Sequence, residues 1–338
     1  TNLLMLFHFF SCYSQSLSTV MPKNNSTLPN QVRFEWNSDI NSGEYYLKIS
    51  QDSLFLNSQI IETSLNSIQL NQMSPGKWYW KVYSDISEEN ESYMNYFTVF
   101  SPSQINSLTF WLNADSLVNI DNSGLVSFWG DNSNDNHDAF QLAIENRPSF
   151  IAENPDFNNL NTILFDGVDD YLSTGDVLDL EFNSRTSFVL FKGTGVVFAK
   201  FGNSTSPYNL YSLENDGNLY HEVAGLNYNS VILPNATSNI NLIATHLNRQ
   251  NSYVRMQRNN GESITNNTLT GVFPNYNFNT INPLLIGAYT DGPTFNFNGA
   301  ISEIIFFDEF LGIDEFNLVN DYLMDKVYPP VNLGFDTT

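Results

Sequence analysis

Apolar and polar residues alternate along most of this chain. From Gln31 onward, Val32, Phe34 and Trp36 fall on one face while Arg33 and Glu35 take the other, the period of two expected of a half-buried strand. Tyr45, Leu47 and Ile49 repeat the device, and so do Trp78, Trp80 and Val82 after the turn Ser74-Pro75-Gly76. With a closing strand over Tyr96 to Phe100, these short runs predict a small antiparallel sandwich over residues 19–100.

A linker, Ser101 to Gln104, comes next, and alternation resumes at Leu108, Phe110 and Leu112. Strands are predicted at 162–167, 187–193, 196–201, 208–213, 240–247, 253–258, 283–289 and 300–310, separated by Gly- and Asn-rich turns. They predict a larger antiparallel sandwich or jelly roll over 105–328. Only near the end does the period change. Ile313, Phe316, Val319, Tyr322 and Leu323 form one stripe, which predicts a short helix packed on the sandwich edge. Asp314 and Glu315 in its first turn and Lys326 in its last suit the helix dipole. The fold class is therefore all-β: two antiparallel sandwiches and one short C-terminal helix.

Composition narrows the partners. In 338 residues there are 36 acidic and 13 basic side chains, a net charge of -23. A phosphate backbone or an anionic bilayer is repelled by such a chain, so nucleic acid is excluded as a partner. The apolar run Leu3 to Phe10, followed by Ser11-Cys12-Tyr13-Ser14, predicts an export signal over residues 1–15, cut near Ser14. Two alternatives stay open: a first strand, or a lipoprotein acylated at Cys12. The run is too short to span a bilayer, so no membrane insertion is expected. Cys12 is the one cysteine, which rules out a disulfide within the chain.

Catalytic motifs are sparse. His137, His221 and His246 are scattered without metal-ligand spacing, and Gly193-Thr194-Gly195 lacks the third glycine and following helix of a dinucleotide loop. No E-x-D-x-x-E run offers the close carboxylate pair of a retaining glycosidase. Two acidic clusters could hold calcium: Asp166, Asp169 and Asp170 after a strand, and Asp131, Asp135 and Asp138 in a polar loop. Both are also explained by Asp bonding its own backbone in turns. Trp111, out of phase with Phe110 and Leu112, and Tyr208 and Tyr289 near turns are candidates for stacking on sugars, with packing as the alternative.

The segments Phe34-Glu35-Trp36, Tyr46 to Ser50 and Pro75 to Val82 resemble a fibronectin type III domain of bacterial surface proteins. Leu108 to Asp115, Val126 to Ser133, Phe165 to Leu172, Gly299 to Ile305 and Asp321 to Lys326 resemble the concanavalin A-like, laminin-G type domain of secreted surface proteins in gliding, polysaccharide-degrading bacteria. Pro330 to Thr338 is similar to the opening strand of a following immunoglobulin-like repeat, so 329–338 reads as a linker or the start of one. The resemblance implies a secreted, cell-surface protein of the type IX secretion kind, with a spacer role for the first domain. For the second it implies a non-catalytic adhesion or carbohydrate-binding role, possible structural Ca2+, and polysaccharide, cell-surface glycan or other surface proteins as partners. The alternatives are a purely architectural segment and a divergent glycoside hydrolase or polysaccharide lyase.

Overall fold

The structure is a computed structural model that describes residues 17–38, 43–84, 91–201, 209–223, 229–234, 239–267, 277, 279–289 and 296–328. The export-signal reading, Cys12, Tyr208 and the 329–338 segment lie outside the described residues. By contacts the chain divides into two compact units that meet between Phe100 and Ser101.

In the first unit the strands are β1 (Leu17–Met21), β2 (Ser26–Leu28), β3 (Val32–Ser38), β4 (Tyr45–Ser50), β5 (Gln59–Thr63), β6 (Ser67–Leu70), β7 (Gly76–Tyr83) and β8 (Asn95–Val99). A sheet in the order β1-β3-β6 faces one in the order β2-β8-β7-β4-β5. The alternation read from sequence is the packing. Phe34, Trp36, Leu47, Trp80 and Phe97 are fully buried between the layers, with Phe34 edge-on to both Trp80 and Phe97. One pairing departs from the antiparallel pattern: β2 runs parallel to β8. The chain folds back after β1 and lays β2 along the final strand.

The second unit holds β9 (Leu108–Asn113), β10 (Val118–Ile120), β11 (Val126–Trp129), β12 (Ala139–Phe140), β13 (Ser149–Asn154), β14 (Leu160–Asp166), β15 (Leu172–Ser173) and β16 (Arg185–Phe201). These are followed by β17 (Asn209–Asn215), β18 (Leu219–Val223), β19 (Asn229–Leu233), β20 (Asn241–Asn248), β21 (Tyr253–Arg258), β22 (Ser263–Asn266), β23 (Leu284–Ile286), β24 (Asn298–Phe307) and helix α1 (Ile313–Val327). One layer carries β24 between β16 and the pair β9 and β14, and extends through β20, β21 and β22; the other runs β10-β11-β12-β15-β23-β16-β17-β18-β19. Phe110, Trp129, Phe165, Phe191, Phe198 and Phe306 fill the space between them.

The sequence pattern suggested separate strands over 187–193 and 196–201. Instead β16 is continuous and belongs to both layers: its first half pairs with β20 and β24, its second with β17 and β23. It bends at Gly193-Thr194-Gly195, where backbone presses on backbone. A Cβ on Gly193 would lie 2.4 Å from the Asn298 carbonyl oxygen, and one on Gly195, whose φ is +104°, 2.3 Å from that of Asn296. Only glycine fits both places.

Helix α1 covers the outer face of the first layer. Phe316, Val319, Tyr322 and Leu323 are buried, as the stripe predicts, whereas Ile313 is 68% exposed. At the first helical position it precedes the turn that reaches the sheet. Lys326 is more than a dipole partner. Its ammonium lies 2.7 Å from Glu303 Oε2 and 3.3 Å from Asp115, and the other Glu303 oxygen accepts the Trp111 indole N–H at 2.7 Å. Burial alone would lower the Lys326 pKa, but the charge of fully buried Glu303, with Tyr322 and Asp115, overrides it and holds the group above its usual range.

Candidate functional site

At one end of the first layer, strands β14, β24 and β16 lie side by side in register. Leu164, Ala300 and Lys192 form one row across them, Phe165, Gly299 and Gly193 the next, and Asp166, Asn298 and Thr194 the last. The glycines and alanine leave the middle of this surface nearly bare, and a cleft of about 510 Å³ opens over it, within the size range of small-ligand sites.

One wall is the 3-10 turn Pro155–Phe157. Asn154 caps it by accepting from the Asp156 N–H at 3.0 Å, and Phe157 anchors it in the core. Asp156 reaches across to Lys192 at 3.1 Å. The other wall is the β17–β18 turn, where the Asn215 amide donates to the Gly193 carbonyl at 2.7 Å. The Asn154 and Asn215 amides are thus committed to holding the walls. The side chains of Asn298 and Thr194, both exposed, have no hydrogen-bond partner among the described residues and stand free at the cleft floor.

The acidic turn adjoins this cleft through Asp166. One ligand oxygen from each of Asp166, Asp169 and Asp170 lies within 4.8 Å of the others. Oxygens on opposite sides of a calcium ion, each about 2.3–2.6 Å from it, are about that far apart, so the three fit one ion. The same carboxylates also serve the turn. Asp166 Oδ1 accepts from the N–H groups of Val168 at 2.8 Å and Asp169 at 3.3 Å, and Asp170 Oδ2 accepts from the Asp166 N–H at 3.0 Å. Burial pushes the Asp170 pKa up to about 6, the neighbouring charges of Asp166 and Asp169 adding to it against that hydrogen bond. The Asn296 side-chain amide donates to the Val168 carbonyl of the same turn, and its own oxygen is buried without a partner among the described residues.

The other acidic loop is structural. Asp131 accepts from the Trp111 and Ser133 N–H groups through Oδ1 and from His137 N–H and Ser133 Oγ through Oδ2, at 2.6–2.8 Å. Its oxygens are used up in closing the loop against β9. Of the aromatic candidates, Trp111 is half-buried on the outer face with its N–H bound to Glu303, and Tyr289 is half-buried after β23. Neither lines the cleft.

A second constellation went unread in the sequence. Glu214 on β17 and Glu222 on β18 are diagonal neighbours, since Ser212 stands directly opposite Glu222. Burial raises the Glu214 pKa, and the Glu222 charge raises it further against a 3.1 Å hydrogen bond from Ser212 Oγ. No single-strand carboxylate motif marks this pair, because the two residues come from different strands.

The fold is an all-β sandwich. No family model matches the sequence, and no curated protein matches it. Among solved structures, the chain is similar to the CBM40 of the Ruminococcus gnavus IT-sialidase bound to α2,3-sialyllactose, with 15% identity over 42% of this chain and 84% of that one and a TM-score of 0.34. It is also similar to a leech intramolecular trans-sialidase, with 15% identity over 40% of this chain and 23% of that one and a TM-score of 0.32. An arabinofuranosidase complexed with arabinofuranosyl-α-1,2-xylobiose gives 11% identity over 60% of this chain and 51% of that one, with a TM-score of 0.42. Likenesses of this size carry no argument about what the chain binds.

Proposed function

We propose that this chain is a non-catalytic carbohydrate-binding segment of a secreted cell-surface protein, a fibronectin type III-like unit followed by a concanavalin A-like, laminin-G type unit that holds the glycan. The observation that carries this reading is the cleft over β14, β24 and β16. Its floor of Gly193, Gly299, Ala300 and Leu164 is flat enough for the apolar face of a sugar ring, and the Asn298 amide and Thr194 hydroxyl are free to bond ring hydroxyls. The one carboxylate in the lining, Asp156, is tied to Lys192, so the cleft has no acid–base pair for hydrolysis. The three-on-five strand arrangement of the first unit supports the fibronectin type III reading.

A calcium ion held by Asp166, Asp169 and Asp170 is part of the proposal. Bound there, it would neutralise three crowded carboxylates and stiffen the turn beside Asn298. The test is a glycan array probed with the full chain and with the Asn298→Ala, Thr194→Val double variant. Captured glycans are expected to lose at least tenfold in affinity in the variant, which removes two hydrogen-bonding groups. Equal binding by both proteins sinks the assignment of the cleft.

One observation favours a catalytic reading instead: the raised Glu214 beside Glu222 has the form of a general acid next to a second carboxylate. Polysaccharide turnover abolished by Glu214→Gln would establish that reading.

A further inference from the structure

Three polar side chains meet inside the core of the second unit. Along β18 the buried residues are Leu219, His221 and Val223, so the His221 ring points inward with its apolar neighbours. From the other layer come Ser187 on β16 and Thr245 on β20, which stand directly opposite each other and alternate with the core residues Val189, Phe191, Ile243 and Leu247. Ser187, His221 and Thr245 line one cavity of about 10 Å³, with Phe198 and Phe306 among its walls. That is about the least room that holds a single water molecule.

The hydrogen bonds of the three do not balance among themselves. His221 Nδ1 lies 2.8 Å from the Ser212 carbonyl oxygen, which can only accept, so Nδ1 carries the proton. Burial holds the ring pKa down to about 4 against that hydrogen bond. At pH 7 the ring is therefore neutral, and its Nε2 is an acceptor with no partner among the described residues. Ser187 and Thr245 share one hydrogen bond. Two hydroxyls bring two hydrogens, and this bond uses one. The second has no acceptor among the described residues. Arg185, also in the lining, turns its guanidinium to Asp308 and to the Leu178 carbonyl. A buried donor and a buried acceptor that both stay unpaired are costly, and here they face the same cavity.

We infer that this cavity binds one structural water molecule, which accepts from the Ser187–Thr245 hydroxyl pair and donates to His221 Nε2. The bridge crosses from one layer of the sandwich to the other. Water supplies both roles that the site needs, and the volume admits no larger ligand. The bridge also makes the alignment of the layers specific. Slipped by one residue, β18 would present Tyr220 or Glu222 in place of His221.

The test uses the full chain. A high-resolution crystal structure is expected to show one water about 2.7–3.2 Å from His221 Nε2 and from one of the two hydroxyls. In solution, nitrogen NMR of the ring should report the Nδ1–H tautomer with a hydrogen-bonded Nε2. Ser187→Ala with Thr245→Val should move the Nε2 resonance to the value of an unbonded ring nitrogen and leave Nδ1 where it was. No water at that place, the opposite tautomer, or an unchanged Nε2 resonance in a folded double variant overturns the proposal. If the double variant does not fold, the crystal structure and the tautomer of the parent decide it.

Discussion

Asp170 is the residue on which the calcium proposal turns. In the ion-free protein its carboxylate is ionised at neutral pH against burial and two neighbouring charges. Folding stability is therefore lost as pH rises from the ordinary carboxylate range through about 6. Asp170→Asn keeps an oxygen to accept the Asp166 N–H but removes the charge, so it should raise the melting temperature at pH 7 without calcium. Millimolar calcium should stabilise the parent by about 2.7 kcal/mol at a hundredfold excess over its dissociation constant, and the variant much less. Magnesium at equal ionic strength controls for screening. Equal shifts with both ions, or in both proteins, would reduce the cluster to turn chemistry. Glu303 is the opposite kind of residue, a fully buried charge with its partners in place. Lys326→Met should cost about 3–5 kcal/mol by stranding it, and adding Glu303→Leu should recover much of that loss. Chemical denaturation of the two variants measures both.

At the level of elements, alternation made the long core strands legible, half of the 24, and the helix could be read from its stripe; the short edge strands carry too few residues to show a period. Continuity was not legible. Gly193-Thr194-Gly195 reads as a break between two strands because glycine usually ends them, whereas here it lets one strand bend between two layers. Gly195→Ala should cost about 2–4 kcal/mol, from the strain at φ +104° and the clash with Asn296. The cleft was illegible for a related reason. Leu164, Lys192 and Ala300 meet only because β14, β16 and β24 pair in one register, and local pattern does not reveal partners so far apart in sequence. Trp111 shows what partial legibility looks like. Its phase placed it off the core face, but nothing local could name Glu303, 192 positions away, as the partner of its N–H.

Between α1 and the sheet, His246 is wedged against Phe310 and Phe316, with neither ring nitrogen partnered among the described residues. Burial, with the charge of Arg255, depresses its pKa to about 3. The unfolded chain takes up this proton near pH 6.5 and the folded one does not, so stability falls as pH drops below 6.5. His246→Leu should gain about 1–2 kcal/mol at pH 7. Its advantage over the parent should widen by about 1.4 kcal/mol per pH unit down to pH 4. A constant difference across that range would mean the ring finds a proton partner.

Over the whole molecule, a net charge of -23 sets a background of self-repulsion that any salt relieves, and ion-specific effects must be read above it. The arrangement around Glu303 has a mechanical consequence. In the second unit, Trp111 and Asp115 belong to β9 and the loop after it, the first part of the unit's chain, while Lys326 belongs to the last turn of its final helix. The two ends of the unit are thus fastened to the same buried carboxylate and to adjacent strands of one layer. A pull along the polypeptide would load this clamp and the β9–β24 ladder first. The strands beyond them would carry little of the tension until the clamp gave way, which leaves the cleft at the Asn298 end of β24 mechanically shielded.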